Sequence, residues 1–306
     1  MRVHPFRRAL PVAARLTGTK RRMGDAGAMR RHIDGLHVRP RSSAPPRGLA
    51  RLVDIAVTVS APGWQIYTVR RRGDREHASG GLGAVYLHGG SYINEINLLH
   101  WHLVAHLARS TGAEITVPIY PLAPRATAAV VVPAAAEIVA GLLDDVGSEH
   151  AVLIGDSAGG GLALAAVTAL RDQAVAVPRD TILLSPWLDL SLSDPAVAMV
   201  ARIDPVLAVE GLRIAGAAYR GTLKADDPTV SPINGDFSGL GRLTVFTGTR
   251  DLLNVDARRL RERIDAGVFG TRIRFHEADA MIHDYALLPI AEGRQARAVM
   301  RDTLRG

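Results

Sequence analysis

The stretch Ala151-Val152-Leu153-Ile154-Gly155-Asp156-Ser157-Ala158-Gly159-Gly160-Gly161-Leu162-Ala163-Leu164-Ala165-Ala166 decides the fold. It opens on a short apolar run containing Val and Ile and closes on a run rich in Ala and Leu, so it reads as a strand turning sharply into a helix. The turn carries Ser157 in the pattern Gly-x-Ser-x-Gly, which in a strand–turn–helix setting is a nucleophile elbow. Small residues at 155 and 159 let the chain bend where strand and helix crowd together. The Ser157 hydroxyl then stands at a helix N-terminus, whose partial positive charge favours an anionic intermediate.

Outward from this elbow, β-rich and helical runs alternate from residue 52 onward. The strand candidates are Leu52–Val59, Trp64–Arg70, Gly83–Leu87, Ala113–Ile119, Ala151–Ile154, Thr181–Leu184, Leu243–Thr247 and Thr271–His276. Helices are expected over Leu99–Ser110, Pro133–Asp145, Ala158–Asp172, Val209–Tyr219, Val255–Ala266 and Pro289–Leu304. Strands from Gly83 on are continuously apolar, the pattern of a parallel sheet covered on both faces by helices. The first two, joined by Ala61-Pro62-Gly63, look antiparallel. Residues 186–240, with five prolines between Pro186 and Pro232, break the rhythm and read as an insertion. Placed after the Thr181–Leu184 strand, it would roof the carboxyl edge of the sheet, where ligands bind in open α/β folds.

With 306 residues and no internal repeat, the chain reads as one large α/β domain, over 51–306, preceded by a basic arm over 1–50. The net charge of +7 is uneven: residues 1–51 hold 13 Lys/Arg against two acids, and the rest holds 24 against 28. The body is therefore mildly acidic, which argues against a nucleic-acid-binding domain. The arm has weak apolar periodicity and reads as partly disordered. It is an extension without function, part of a cap over the active site, or a tether to an anionic surface. No apolar run nears the roughly 18 residues of a membrane span, and the arm lacks the apolar core of a secretory signal, so a cytoplasmic protein is expected. The absence of cysteine excludes disulfides, thiolate metal sites and a cysteine nucleophile.

A serine nucleophile needs a base, and on such an elbow the acid and then the base follow the serine along the chain. Only His276 and His283 follow Ser157. His276 belongs to a strand, whereas His283 lies in the loop before the last helix and can reach across the sheet edge. It is the expected base. Asp251, just beyond the Leu243–Thr247 strand, is the expected acid, while Asp256 suits the N-cap of the helix that follows. His88-Gly89-Gly90-Ser91-Tyr92 follows the Gly83–Leu87 strand, where backbone N–H groups of Gly89, Gly90 and Ser91, with that of Ala158, would face a developing oxyanion. His88 and Asp156 are read as supports of that loop. No phosphate loop or dinucleotide motif is present, and His102 and His106, although at i,i+4 spacing, lack a metal-binding context. No metal or cofactor is expected.

Together these segments resemble the hormone-sensitive-lipase-like family of α/β-hydrolases, in its Gly-Asp-Ser-Ala-Gly branch. The resemblance runs from about residue 64 to the C-terminus. It rests on His88-Gly89-Gly90, Tyr120-Pro121-Leu122-Ala123-Pro124, Gly155–Gly159, Ser185-Pro186-Trp187-Leu188-Asp189, Asp227-Pro228 with Ser231-Pro232, Asp251 and His283. It implies an α/β-hydrolase fold, with an eight-stranded, mostly parallel sheet, helices on both faces and a helical cap. It also implies Ser157 as nucleophile, Asp251 as acid and His283 as base in a carboxylic-ester hydrolase for short to medium acyl chains. Amide, lactone or carbamate hydrolysis, and ligand binding without catalysis, are the alternatives. Trp64 and residues 186–220 would line or roof the pocket, with Tyr92, Trp187, Leu212 and Ile282 as its expected walls. Pairing through the last strand would give a homodimer. Two departures stand out: Ser91 occupies the family's third glycine, and Tyr120–Arg125 ends in Arg, which removes a charged pair expected to brace the loop.

Overall fold

A computed structural model describes residues 5–60, 63–74 and 81–306, and the Ala61-Pro62 part of the expected tight turn lies outside them. In chain order, the elements begin with α1 (Pro5–Leu16), α2 (Thr19–Met23), α3 (Ala26–Val38), β1 (Val53–Val59), β2 (Gln65–Arg71) and β3 (Gly83–Leu87). Next come α4 (Leu98–Thr111), β4 (Glu114–Ile119), α5 (Ala128–Val146), β5 (Ala151–Asp156), α6 (Ser157–Asp172) and β6 (Asp180–Leu184). The chain ends with α7 (Pro195–Ile203), α8 (Val209–Arg220), β7 (Gly241–Gly248), α9 (Asn254–Asp265), β8 (Thr271–Ala278) and α10 (Ala291–Arg305).

The eight strands of the described residues form one sheet in the order β1-β2-β4-β3-β5-β6-β7-β8. Both pairings of β2 are antiparallel and the remaining ones are parallel, so the sheet is mostly parallel, as its sequence suggested. Period-two alternation divides each central strand between two apolar layers. Val85, Leu87 and Leu153 pack with α5 and α6, whereas Ala84, Tyr86, Val152 and Ile154 pack with α4 and α10. From β3 the chain runs out to β4 on one side and returns to β5 on the other. That reversal opens a crevice at the carboxyl ends of β3 and β5, the place where such sheets bind ligands. The loop after β3 and the elbow after β5 face each other across it.

Three local expectations change. Helix α5 starts at Ala128, five residues before the expected Pro133, because Thr127 occupies the N-cap position and Ala128, Val131 and Val132 are buried. Helix α7 was not expected in the proline-rich insertion. Pro195 sits at its first position, where no N–H is needed, and the Asp194 carboxylate accepts the Ala196 N–H at 2.8 Å. Residues 5–38, expected to be partly disordered, form three helices. Met23, Met29 and Ile33 of these helices are buried, whereas Val12, Leu16 and Val38 are exposed. Helices α2 and α3 pack on α8, closely enough that a Cβ on Gly211 would lie 2.5 Å from the Met23 carbonyl oxygen. The Lys20 ammonium donates to the carbonyls of Ala201 and Asp204 at the end of α7. Among the described residues, no helix is long and apolar enough to cross a membrane.

Candidate active site

Ser157 directly follows β5 as the first residue of α6, with φ near 50°, a left-handed conformation that a non-glycine residue rarely takes. The glycines around it are required by space. A Cβ on Gly155 would lie 2.2 Å from the Gly159 carbonyl oxygen, and one on Gly159 would lie 2.0 Å from that of Leu87. The Trp187 N–H donates to the Ser157 carbonyl at 2.9 Å and ties the turn to the segment after β6.

The structure brings Ser157, His283 and Asp251 together from three different loops. His283 Nε2 lies 3.0 Å from Ser157 Oγ, and His283 Nδ1 lies 2.9 Å from Asp251 Oδ2. The other Asp251 oxygen accepts the Leu253 N–H at 3.0 Å, which fixes the carboxylate plane. With Nδ1–H donating to Asp251, Nε2 presents its lone pair to the serine hydroxyl. Burial pushes the His283 pKa down, but the charges of Asp251 and Asp284 outweigh it and raise it well above the ordinary value. Asp256 does not cap α9. It lies inside that helix and accepts from Arg259 at 2.6 Å, because α9 begins three residues earlier than the cap reading required.

In the loop after β3, the expected donors separate into two groups. The Gly89 N–H is already taken, donating to Asp156 Oδ1 at 3.0 Å. No acceptor among the described residues takes the N–H of Gly90, Ser91 or Ala158. Gly90 has φ near 130° and no room for a Cβ, which would lie 2.4 Å from the Asn94 carbonyl oxygen. Ser91 and Tyr92 follow in left-handed conformations, so the loop coils back on itself at the position where the family carries its third glycine.

Beneath the loop, the buried Asp156 carboxylate also accepts from the Tyr86 hydroxyl and from His100 Nε2, the latter at 3.1 Å. His100 Nδ1 accepts the Asn97 N–H at the start of α4, leaving Nε2 as its donor. His88 donates from Nδ1 to the Gly89 carbonyl at 2.7 Å and stacks on Tyr120, 4.5 Å between ring centres. Burial, helped by His100, lowers the His88 pKa to about 4, so the ring is neutral near pH 7. Arg125 lies close enough to Glu95 to oppose, by its charge, the rise that burial imposes on the Glu95 carboxyl.

Ser157, His283, Gly90 and Ser91 open onto a cavity of about 490 Å³. None of Tyr92, Trp187, Leu212 and Ile282 lines it, nor does Trp64. Tyr92 stacks face to face on Tyr219 at 3.6 Å and Trp187 donates from Nε1 to the Asp189 carbonyl, so these rings support the cap from inside the core. Leu212 and Ile282 are likewise buried. Val206 and Leu207 of the insertion do reach the cavity, but much of its wall comes from the N-terminal helices, through Thr19, Arg22, Met23, Met29 and His32.

Three polar residues escaped the sequence reading. Asp204 is fully buried and accepts the N–H groups of Val206, Leu207 and Leu252, joining the end of α7 to the residue after Asp251. Lys20 has no local signal, since its acceptors lie about 180 residues away. Asp284 is adjacent to His283 in sequence, and neighbours usually point apart. Its φ near 52° turns it back, and its Oδ2 lies 3.2 Å from His283 Nε2.

The family described as alpha/beta hydrolase fold matches residues 84–287. The chain is 36% identical over 205 residues to a triacylglycerol lipase of Mycobacterium tuberculosis (strain ATCC 25618 / H37Rv), which covers 67% of this chain and only 42% of that lipase. It is 33% identical over 226 residues to an acetyl-hydrolase of Streptomyces hygroscopicus, covering 72% and 74% of the two chains. Among solved structures, an esterase from the bacterial hormone-sensitive lipase family superposes with a TM-score of 0.75 at 27% identity, covering 100% of this chain and 99% of that one. The chain belongs to the alpha/beta hydrolase fold family, in its hormone-sensitive-lipase-like branch.

Proposed function

We propose that this protein hydrolyses carboxylic esters of short to medium acyl chains through an acyl-enzyme intermediate. The observation that carries the reading is one continuous array. Asp251, His283 and Ser157 are linked by hydrogen bonds of 2.9 and 3.0 Å, beside three backbone N–H groups that have no acceptor among the described residues. Ser157 Oγ attacks the ester carbonyl carbon while its proton passes to His283 Nε2. The carbonyl oxygen, now anionic, is held by the N–H groups of Gly90, Ser91 and Ala158, and loss of one such donor costs on the order of 3 kcal/mol in activation free energy. The imidazolium then protonates the departing alkoxide, and a water molecule repeats the sequence on the acyl-enzyme. The names of the lipase and the acetyl-hydrolase support ester cleavage, and a cavity of about 490 Å³ suits an ester of modest size.

The test is a panel of p-nitrophenyl esters from acetate to palmitate, assayed with the parent and with Ser157→Ala. The expected result is highest kcat/KM at acetate to octanoate and loss of turnover in the variant. Equal turnover by Ser157→Ala would overturn the reading, and a preference for palmitate would overturn the chain-length part alone.

A further inference from the structure

His283 Nε2 faces two oxygen atoms, Ser157 Oγ at 3.0 Å and Asp284 Oδ2 at 3.2 Å. Proton transfer from the serine needs only the first. The second carboxylate is held there by the local backbone: the Asp284 N–H donates to Ser185 Oγ at 3.0 Å, and both residues are left-handed. Its other oxygen, Oδ1, is buried and has no hydrogen-bond partner among the described residues. Asp284 also lines the cavity that holds Ser157. A carboxylate so placed has one strong interaction available, with a proton on Nε2.

We infer that Asp284 is a positioning residue for the base. It steadies the imidazolium that forms as Ser157 attacks, and it sets the pH range over which His283 is free to accept a proton. The inference rests on the Ser157–His283–Asp251 reading above. As the Oγ–carbon bond forms, the Ser157 O–H bond breaks and the proton moves to Nε2, where it lies within reach of Ser157 Oγ and Asp284 Oδ2. Asp251 holds Nδ1–H on the other side of the ring, so two carboxylates flank one imidazolium. The proton then leaves for the alkoxide oxygen of the departing alcohol, and Asp284 ends the step as it began.

The same charge has a cost in the resting enzyme. An ionised Asp284 favours the protonated ring, which cannot act as a base, so the acid limb of the activity profile is displaced to higher pH. The other charged or titratable groups facing Asp284 are Asp251 from the loop after β7, Asp156 at the end of β5, Tyr86 on β3 and His100 on α4. Both aspartates oppose its ionisation, and burial raises its carboxyl to about 6. The structure thus favours one shared proton on the His283–Asp284 pair around neutrality, and the base is released when that proton is lost.

Two variants of the full chain, Asp284→Asn and Asp284→Ser, remove the charge while differing in volume and hydrogen bonding. The readout is kcat/KM for p-nitrophenyl butyrate across pH, with the pH dependence of fluorophosphonate labelling as a second measure of serine activation. In both variants the acid limb is expected to fall by on the order of one pH unit, the size of effect an opposite charge at this distance exerts. The alkaline plateau is expected to fall as well, because the weaker base accepts the proton less readily. A merely structural role would lower the plateau and leave the limb in place. Limbs superimposable on the parent in both variants, with Ser157-dependent hydrolysis intact, would overturn this inference and spare the proposed function. Hydrolysis that survives Ser157→Ala would overturn the proposed function first.

Discussion

Replacing Asp251 by Asn changes one atom and no volume, yet the surrounding hydrogen bonds dictate a large effect. In the parent, one carboxylate oxygen accepts the Leu253 N–H at 3.0 Å and the other accepts His283 Nδ1–H at 2.9 Å. An Asn here has one oxygen and one NH2 group, and the buried Leu253 donor claims the oxygen. The NH2 group must then face Nδ1, which can accept it only as a lone pair. The proton of the neutral ring is driven to Nε2, 3.0 Å from Ser157 Oγ, where it blocks the transfer it should receive. Loss of the working tautomer in a serine triad lowers kcat by about 10⁴, which corresponds to roughly 5.5 kcal/mol of activation free energy. Steady-state kcat for p-nitrophenyl butyrate measures this directly, and an unchanged urea midpoint would show that the fold is retained. A folded Asp251→Asn variant that lost less than about tenfold in kcat, a barrier change of only about 1.4 kcal/mol, would refute the tautomer argument and the assignment of Asp251.

Three further outcomes test the surroundings. Gly159→Ala places a methyl 2.0 Å from the Leu87 carbonyl oxygen and should destabilise the protein by at least about 2 kcal/mol in urea; Gly35→Ala, in open space on α3, should be neutral or slightly stabilising in the same assay. Met29, buried and lining the cavity, should cost about 2–5 kcal/mol when changed to Ala. The enlarged cavity should also raise kcat/KM for longer acyl chains relative to acetate, and an unchanged acyl profile would exclude the N-terminal helices from the substrate wall. For His88, the folded pKa is lowered to about 4 from 6.5, so the unfolded chain binds more protons between those values and the stability due to this residue is lost as pH falls through that window. The stability difference between the parent and His88→Gln, from urea curves, should therefore shrink by about 3 kcal/mol between pH 7 and pH 4; a difference independent of pH would contradict a buried neutral ring.

What the sequence reveals follows the range of the forces involved. The central strands are readable because burial on both faces demands uninterrupted apolar runs, and β3, β5 and β6 are buried throughout. The elbow is equally local: two glycines are needed within a few residues of Ser157, and their spacing records that need. His283 and Asp251 are found by chain order and by their places at strand ends. The N-terminal helices are different. Met23 is buried against Gly211, about 190 residues away, and no short-range period reports such a contact. The pocket walls failed for a related reason. Trp187 and Tyr92 are large and near the site, but their area is spent inside the core, while the cavity is bounded by smaller or more distant side chains. Asp284 was hidden by backbone geometry, since only its left-handed φ turns it toward the same histidine nitrogen that faces the serine.

The central claim is that Ser157 is activated as a nucleophile by His283. Intact-mass analysis of the protein after treatment with a fluorophosphonate, followed by peptide mapping, tests it most directly. The account predicts one adduct per chain, on the peptide containing Gly155–Gly159, formed in step with loss of esterase activity and absent from Ser157→Ala. A folded protein that hydrolyses p-nitrophenyl butyrate yet takes no adduct at Ser157, or takes it on another residue, would contradict it.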